Sequence, residues 1–498
     1  MNYTLTDEQQ AISDFVLIML MSPNISSMAI KAFAGCGKSF ILKHIANFYK
    51  DKRFLGLAFG NKIAAENSAA FPKRNSKWFT VHVFARTYLQ KFGVNFDFAN
   101  QRSSYKALEL IEILNIKDSG DYILAESISE VFKVYSQSSL VEITPEGIRK
   151  AGKSQRNEKI ISINDAYLDA ACKYAVRLWE KFEKGEIAPT FDFYLKYFEV
   201  KRFAEKITDF DILELDEAQD SNAVTMSIVT QLPTKNIYVG DAHQSIFGFR
   251  GTINAMNYAD KVFYLSTTFR YIPKIAAYAN AILSTYKNEK VPIVSLAKEK
   301  ASVDGITAYL SRNNSSMISL IDDLMKKNIA FKTAKDPKEL FEAAIALLEY
   351  RIEKKVTNQN FQYLKRFQDF EQAEEYIEET NDNELKTALK MQKMYGKRLY
   401  ILLKVAKEHY RSKDAAKIVL STAHSSKGLE WDKVELLNDF PDIVKLIKDA
   451  KIKNSVELMN RANKNDLVAS NIVQEINLFY VAVTRARFSI DIGKEAAA

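Results

Sequence analysis

Ala32-Phe33-Ala34-Gly35-Cys36-Gly37-Lys38-Ser39 decides the reading of this chain. An apolar run, Met28-Ala29-Ile30, leads into it, and Phe40, Ile41, Ile45, Phe48 and Tyr49 follow near helical spacing. Strand, Gly-bearing turn, Lys-Ser and helix is the layout of a phosphate-binding loop. Gly35 and Gly37 let the backbone curl so that N–H groups point inward at phosphate oxygens. The helix N-terminus adds its positive end, Lys38 reaches the terminal phosphates, and the Ser39 hydroxyl can ligate Mg²⁺. Ala32 stands where the general pattern has its first Gly. For the octet alone, a Gly-Lys turn capping a core strand is therefore the alternative.

The totals frame what surrounds this loop. A length of 498 residues suggests three or four domains. Hydrophobic content of 47% with 27% charged residues is that of an ordinary globular protein. The apolar run Phe15 to Met21 is short and preceded by acids, so neither a secretory nor a membrane-spanning segment is expected, and no membrane partner. Two cysteines cannot form a disulfide framework, and Cys36 lies inside the loop. An intracellular setting is expected, cytoplasmic in a prokaryote or virus and nuclear in a eukaryote. The net charge of +8 permits a polyanionic partner without requiring one. No nuclease cluster or zinc-ligand set is visible.

Upstream of the loop, Thr6 with Gln9 three residues on reads either as a capping box or as part of a nucleotide site. Downstream, Phe54 to Phe59 is a second apolar strand ending in Gly60-Asn61-Lys62, and Phe79 to Phe84 alternates like a strand carrying Thr80 and His82. From about Phe98 to Glu205 amphipathic helical runs dominate, an inserted helical domain. Sheet-like sequence resumes at Asp209 to Asp220, D-F-D-I-L-E-L-D-E-A-Q-D, where an apolar strand ends in Asp216-Glu217 with Asp220 close behind. Carboxylates this close repel, and an added cation is the natural compensation. Paired with the phosphate loop, they point to Mg²⁺-nucleoside triphosphate chemistry.

Asn236 to Gly251 is a further strand ending in Asp241 and Gln244, followed by Phe247, Phe249 and Arg250 on a Gly-punctuated loop. Exposed aromatics beside a cation make a stacking platform for single-stranded bases, whereas buried ones are mere core. A second sheet-like block begins at Val262, resumes at Ile418 to His424 and Val434 to Leu437, and closes with Asn477 to Arg487. Between its halves, Leu340 to Tyr410 is helical. The expected class is α/β, with two parallel-sheet cores each interrupted by a helical module. The boundaries are 1–97 and 206–262 for the first core, 98–205 for its insertion, 263–330 and 415–498 for the second core, and 331–414 for its insertion.

Taken in this order, the motifs resemble the superfamily 1 helicases of the UvrD/Rep type, over Leu5 to Arg487 but not through the two insertions. D-E-A-Q-D, V-G-D-A-H-Q-S-I-F-G-F-R-G, T-A-H-S-S-K-G-L-E-W-D and N-L-F-Y-V-A-V-T-R-A-R are similar to the F-box-type helicase branch, here without an F-box-like stretch ahead of the motor. The resemblance implies two RecA-like motor cores that use ATP and Mg²⁺. It implies that Gln9 reads the adenine, that Ala34, Gly35, Cys36, Gly37 and Lys38 cradle the phosphates, and that Ser39 and Asp216 hold Mg²⁺. Glu217 would be the general base, Gln244 the γ-phosphate sensor, and Arg270 and Arg485 the γ-phosphate arginines. Phe269 would stack on the base and Glu430 contact the ribose. Phe59, Asn61, Thr80, His82, Phe247, Phe249, Arg250 and His424 would line the nucleic-acid groove. Phe249 stands where the family commonly has Trp. Phe33 stands where it usually has Gly, either narrowing the loop or packing on the adjoining insertion.

The implied activity is an ATP-dependent DNA helicase moving 3′ to 5′ on single-stranded DNA and acting at single-strand/duplex junctions. The alternative is a DNA-stimulated ATPase that strips proteins from DNA, or serves a repair, recombination or defence complex, without unwinding alone. The short span between Arg312 and Ile418 motivates it. A scaffold with a dead ATPase is disfavoured, because Lys38, Asp216, Glu217, Gln244, Arg270 and Arg485 are all present.

Overall fold

The computed structural model describes residues 4–116, 122–246, 252–299, 305–380, 383–412 and 416–493. Among the described residues the strands, in chain order, are β1 Ser27–Ala32, β2 Phe54–Ala58, β3 Ser76–Thr80, β4 Ile212–Leu215, β5 Lys235–Gly240, β6 Lys261–Leu265, β7 Thr267–Thr268, β8 Val294–Ser295, β9 Thr307–Ser311, β10 Lys332–Thr333, β11 Ile418–Thr422, β12 Trp431–Leu436 and β13 Ala486–Asp491. Strands β1 to β6 form one all-parallel sheet in the order β3-β2-β4-β5-β1-β6. A second parallel sheet runs β10-β11-β9-β12-β13. The near-continuous apolar runs of β2 and β4 follow from burial on both sheet faces.

The order of the first sheet positions the site. β5 lies between β1 and β4, so the loop after β1 and the acids after β4 come together although most of the chain's first half separates them. Open parallel sheets bind ligands beyond the carboxyl ends of their strands.

Both insertions are helical. In the first, Asp165–Glu183 buries Leu168, Ala171, Cys172, Ala175, Leu178 and Phe182, one stripe at helical spacing, and Asn164 caps its N-terminus. The second contains helices Lys338–Glu353, Phe370–Thr380, Asn383–Tyr395 and Arg398–Arg411. The two insertions touch. Tyr122 packs edge-on against Phe367 and Tyr376, and Arg366 pairs with Glu112 at 3.1 Å.

Four sequence expectations are corrected here. Phe79 to Phe84 is not a strand: β3 stops at Thr80, whose hydroxyl accepts from the Val83 amide at 3.2 Å and caps the helix Val81–Lys91. Asn477 to Val483 belongs to helix Leu467–Val483, and sheet structure begins only at Ala486. That helix end is buried on nearly every side, which removes the periodicity that would separate helix from strand. The segment from Val262 does not open the second core, because β6 pairs with β1 along its whole length as the edge of the first sheet. Lys332–Thr333 pairs with β11, so the second helical insertion begins after it rather than at 331.

Candidate nucleotide cleft between the two motor cores

The phosphate loop leaves β1 through Gly35 and Gly37, at φ +74° and +84°. Those angles suit residues without a Cβ. At Gly35 a Cβ would also collide with Thr268 and Arg270 on the segment entering the second core. Lys38 opens the helix Lys38–Phe48, with Ser39 exposed in its first turn.

At the end of β4, Lys38 Nζ donates to Glu217 Oε1 at 2.7 Å. Glu217 itself sits in the left-handed region at φ +54°, a conformation that costs a non-glycine residue roughly 1–3 kcal/mol. This turn carries the Glu217 amide to Asp216 Oδ1 at 2.9 Å and places Glu217 Oε2 before Gln219 Nε2 at 2.5 Å. Asn67 Nδ2 donates to Asp216 Oδ2 at 3.4 Å. At the end of β5, Asp241 Oδ2 accepts from Gln244 Nε2 at 2.7 Å.

The second core closes over these groups. Lys427 Nζ donates to Asp220 and, at 2.9 Å, to the Gln244 carbonyl, and lies 3.5 Å from Glu217 Oε2. Arg485 is buried and donates to Gln244 Oε1 at 3.3 Å, with Val481 and Leu429 carbonyls holding the rest of its guanidinium. Tyr480 accepts from the Ala34 amide and donates to Asp241, both at 3.2 Å. Asn477 Nδ2 donates to the Ser245 carbonyl at 2.7 Å.

Charge and burial compete throughout. Burial raises Asp216 to about 6, and the neighbouring Glu217 adds to the shift. Asp220 is raised to about 6, by burial first, against the pull of Lys427. Burial also pushes Glu217 upward, but Lys38 and then Lys427 outweigh it and hold this carboxyl well below the usual range. Lys38 is pushed down by burial and up more strongly by Glu217 and Asp216. Arg485 is lowered to about 10 by burial and the nearby Arg270. Three carboxylates thus face two lysines, and burial holds two of the acids at raised values. Among the described residues no three His, Cys, Asp or Glu side chains are grouped as a metal site; an Mg²⁺ would be held by Asp216 and the exposed Ser39, with Glu217 and Asp220 kept by the lysines.

The remaining expected nucleotide residues divide. Gln9 does build the capping box: its Oε1 accepts from the Thr6 amide at 3.1 Å, while the Thr6 hydroxyl accepts from the Gln9 amide. Its Nε2 nevertheless faces the phosphate loop, 3.6 Å from where a Cβ on Gly37 would stand. The cap and the side facing the loop are the two ends of one amide. Glu430 pairs with Arg270 at 2.7 Å, and Phe269 beside it is 54% exposed. Cys36 is buried, and burial pushes its thiol up, away from nucleophile chemistry. Phe33 packs on His243 rather than on the insertion.

On the strand side, Phe59 and His82 share a cavity of about 380 Å³ with Asp216 and Glu217. Lys133 and Asp192 of the first insertion complete it. His82 lies edge-on to Phe191 and Tyr194 of that insertion. Thr80 is buried as the helix cap, and Asn61 is exposed at the first residue of helix Asn61–Ala70. His424, in the second core, feels the charges of Arg312 and Glu475, and is lowered to about 4 by burial first and then by Arg312. Phe247, Phe249 and Arg250 fall outside the described residues.

Two family models match the chain, the UvrD/REP helicase N-terminal domain over residues 20–263 and the UvrD-like helicase C-terminal domain over 306–494. The chain belongs to the UvrD-like helicase family. It is 26% identical to F-box DNA helicase 1 of Gallus gallus, over 92% of this chain and 46% of that protein. It is 25% identical to F-box DNA helicase protein 1 of Schizosaccharomyces pombe, over 97% and 56%. An ATP-dependent DNA helicase PcrA of Leuconostoc citreum matches at 29% over 57% of this chain. The chain therefore spans about half the length of the F-box helicases it matches. Among the described residues, no helix is long and apolar enough to cross a membrane.

Three contacts escaped the sequence reading: Lys427, Tyr480 and Asn477. Lys427 stood inside T-A-H-S-S-K-G, and the crowded acids at Asp216 to Asp220 called for a cation. Tyr480 and Asn477 were hidden in a stretch read as strand.

Proposed function

We propose that this chain is an ATP-driven DNA motor that moves 3′ to 5′ on single-stranded DNA and separates duplex at a junction. One observation carries the reading. The phosphate loop and Asp216-Glu217 of the first core meet Lys427, Arg270 and Arg485 of the second in one cleft, so closure of the cores and completion of the site are the same event.

Lys38 and the loop amides would hold the nucleotide phosphates, Ser39 and Asp216 the Mg²⁺, and Gln9 Nε2 the adenine. Bound Mg²⁺-ATP supplies the phosphoryl group and neutralises charge on it. Glu217 is a poor base while Lys38 and Lys427 hold its carboxylate low. Drawing Lys38 toward phosphate frees Glu217 to accept a proton from the attacking water. Arg485 and Arg270 stabilise charge spreading over the phosphoryl oxygens, and Gln244 reports their arrival to the loop after β5. Alternating closure and opening of the cores becomes stepping along a strand that runs past Phe59 and His82. Soluble, intracellular action and a role in repair, recombination or defence accord with this chemistry.

A translocase that strips proteins without unwinding is favoured by the modest second insertion, and the same experiment separates the two. It measures steady-state ATP hydrolysis with and without single-stranded DNA, alongside strand separation of 3′-tailed and 5′-tailed duplexes. Stimulation with unwinding of the 3′-tailed duplex supports the helicase. Stimulation alone supports the stripping motor. Absence of stimulation removes the groove assignment.

A further inference from the structure

Phe33 is the one aromatic residue in the phosphate loop, between Ala32 and Ala34. Its ring is buried and lies parallel to the His243 imidazole, with centroids 5.8 Å apart and planes within 4°. His243 directly precedes Gln244, and its Nε2 stands 3.2 Å from Glu289 Oε2, just past the helix Pro273–Lys287 of the second core. Glu289 is drawn down to about 2, first by the hydrogen bond from His243 and further by the Val291 and Lys290 amides. The Nδ1 of His243 is buried and makes no hydrogen bond among the described residues. The tautomer with its proton on Nε2 meets both facts. It donates to an ionised acceptor and leaves only a lone pair, not a donor, unmatched.

The ring and the backbone of His243 make further contacts. Tyr480 approaches edge-on at 6.0 Å, and the His243 amide donates to Asp241 Oδ1 at 3.0 Å. The imidazole has Phe33 stacked on it at 5.8 Å and Tyr480 edge-on at 6.0 Å, so a shift of the ring is felt by both. Shifting Glu289 with the second core therefore presses on the phosphate loop at Phe33, while Tyr480 pulls on the next residue, Ala34.

We propose that Phe33, His243 and Glu289 form a positioning relay through which movement of the second core sets the phosphate loop for hydrolysis. None of the three need touch nucleotide or DNA. The inference rests on the motor reading above.

The test is steady-state ATP hydrolysis with and without single-stranded DNA for the wild type, Glu289→Ala, His243→Ala, Glu289→Gln and the double alanine variant, with a thermal midpoint for each. The two single alanine variants are expected to lose about tenfold of the DNA-stimulated kcat while the DNA-free rate stays within about two-fold. Glu289→Gln, which keeps an acceptor, should restore most of the stimulation. The double variant should be no worse than either single one, because each breaks the same link. Full stimulation in both alanine variants would overturn the relay. So would equal loss of stimulated and DNA-free rates together with a lowered midpoint, which is what a merely structural pair produces. A wild-type chain that hydrolyses no ATP would overturn the motor reading and the relay with it.

Discussion

The two cores share an architecture and divide the chemistry. The first brings carboxylates to its strand ends: Asp216, Glu217, Asp220 and Asp241, all close to the phosphate loop. The second answers with cations and donors: Lys427, Arg485, Arg270 and the Tyr480 hydroxyl. Neither half is balanced alone. Buried charge without a partner is costly, so each core supplies what makes the other's arrangement tolerable while the cleft is closed. The difference teaches that coupling here is an electrostatic property of the interface.

The sharpest test of that division is Glu217→Gln, which should bind nucleotide and DNA and lose turnover by roughly 10³-fold, within the usual range for a general base. Single-turnover hydrolysis would show it, and substantial residual hydrolysis would take Glu217 out of that role. Next in size is Lys427→Ala, which leaves Asp220 buried without its cation and should destabilise the fold by roughly 3 kcal/mol in urea unfolding. Adding Asp220→Asn should recover much of the loss. If it does not, the two cores are joined by packing and not by charge.

A pH comparison follows in magnitude. Asp220 has a folded value near 6, above its unfolded one, so the folded protein binds more protons than the unfolded between about pH 4 and 6. Its contribution to stability is therefore greatest at low pH and declines as pH rises through 6. Asp220→Asn should gain on the wild type by roughly 2–3 kcal/mol across that window and stay level above it. A difference flat from pH 4 to 7 would contradict the raised value. Asp216 carries the same sign, its carboxyl raised by burial first and then by Glu217. The smallest effect expected is at the strand side of the first core. Phe59→Ala should weaken single-strand binding by roughly 1–2 kcal/mol if its ring stacks on a base, measured by fluorescence anisotropy. An unchanged affinity with a lower thermal midpoint would make Phe59 part of the core.

Much of this was legible because particular residues have few other uses. Gly35, Gly37 and Lys38 after an apolar run, and acids at the end of another, announce a phosphate site wherever they occur together. The parallel class followed from apolar runs alternating with helical stretches. The Phe79 to Phe84 segment misled because alternation continues across a cap, and Thr80 ends the strand by satisfying an amide rather than by breaking the pattern. The Asn477 to Val483 helix misled because burial on nearly all sides leaves no polar face to mark its period.

The sequence by itself determined the fold class, the family resemblance and which residue types could bind phosphate and metal, since those rest on local backbone geometry and side-chain chemistry. Only the tertiary structure decided that β5 brings β1 and β4 together, that Lys38 rests on Glu217, and that Lys427, Tyr480 and His243 tie the cores across the cleft. Lys38 and Glu217, Lys427 and Asp220, and Tyr480 and Asp241 lie 179, 207 and 239 positions apart, and even His243 and Glu289 are separated by 46. Their partners are chosen by strand order and burial, which no local pattern encodes.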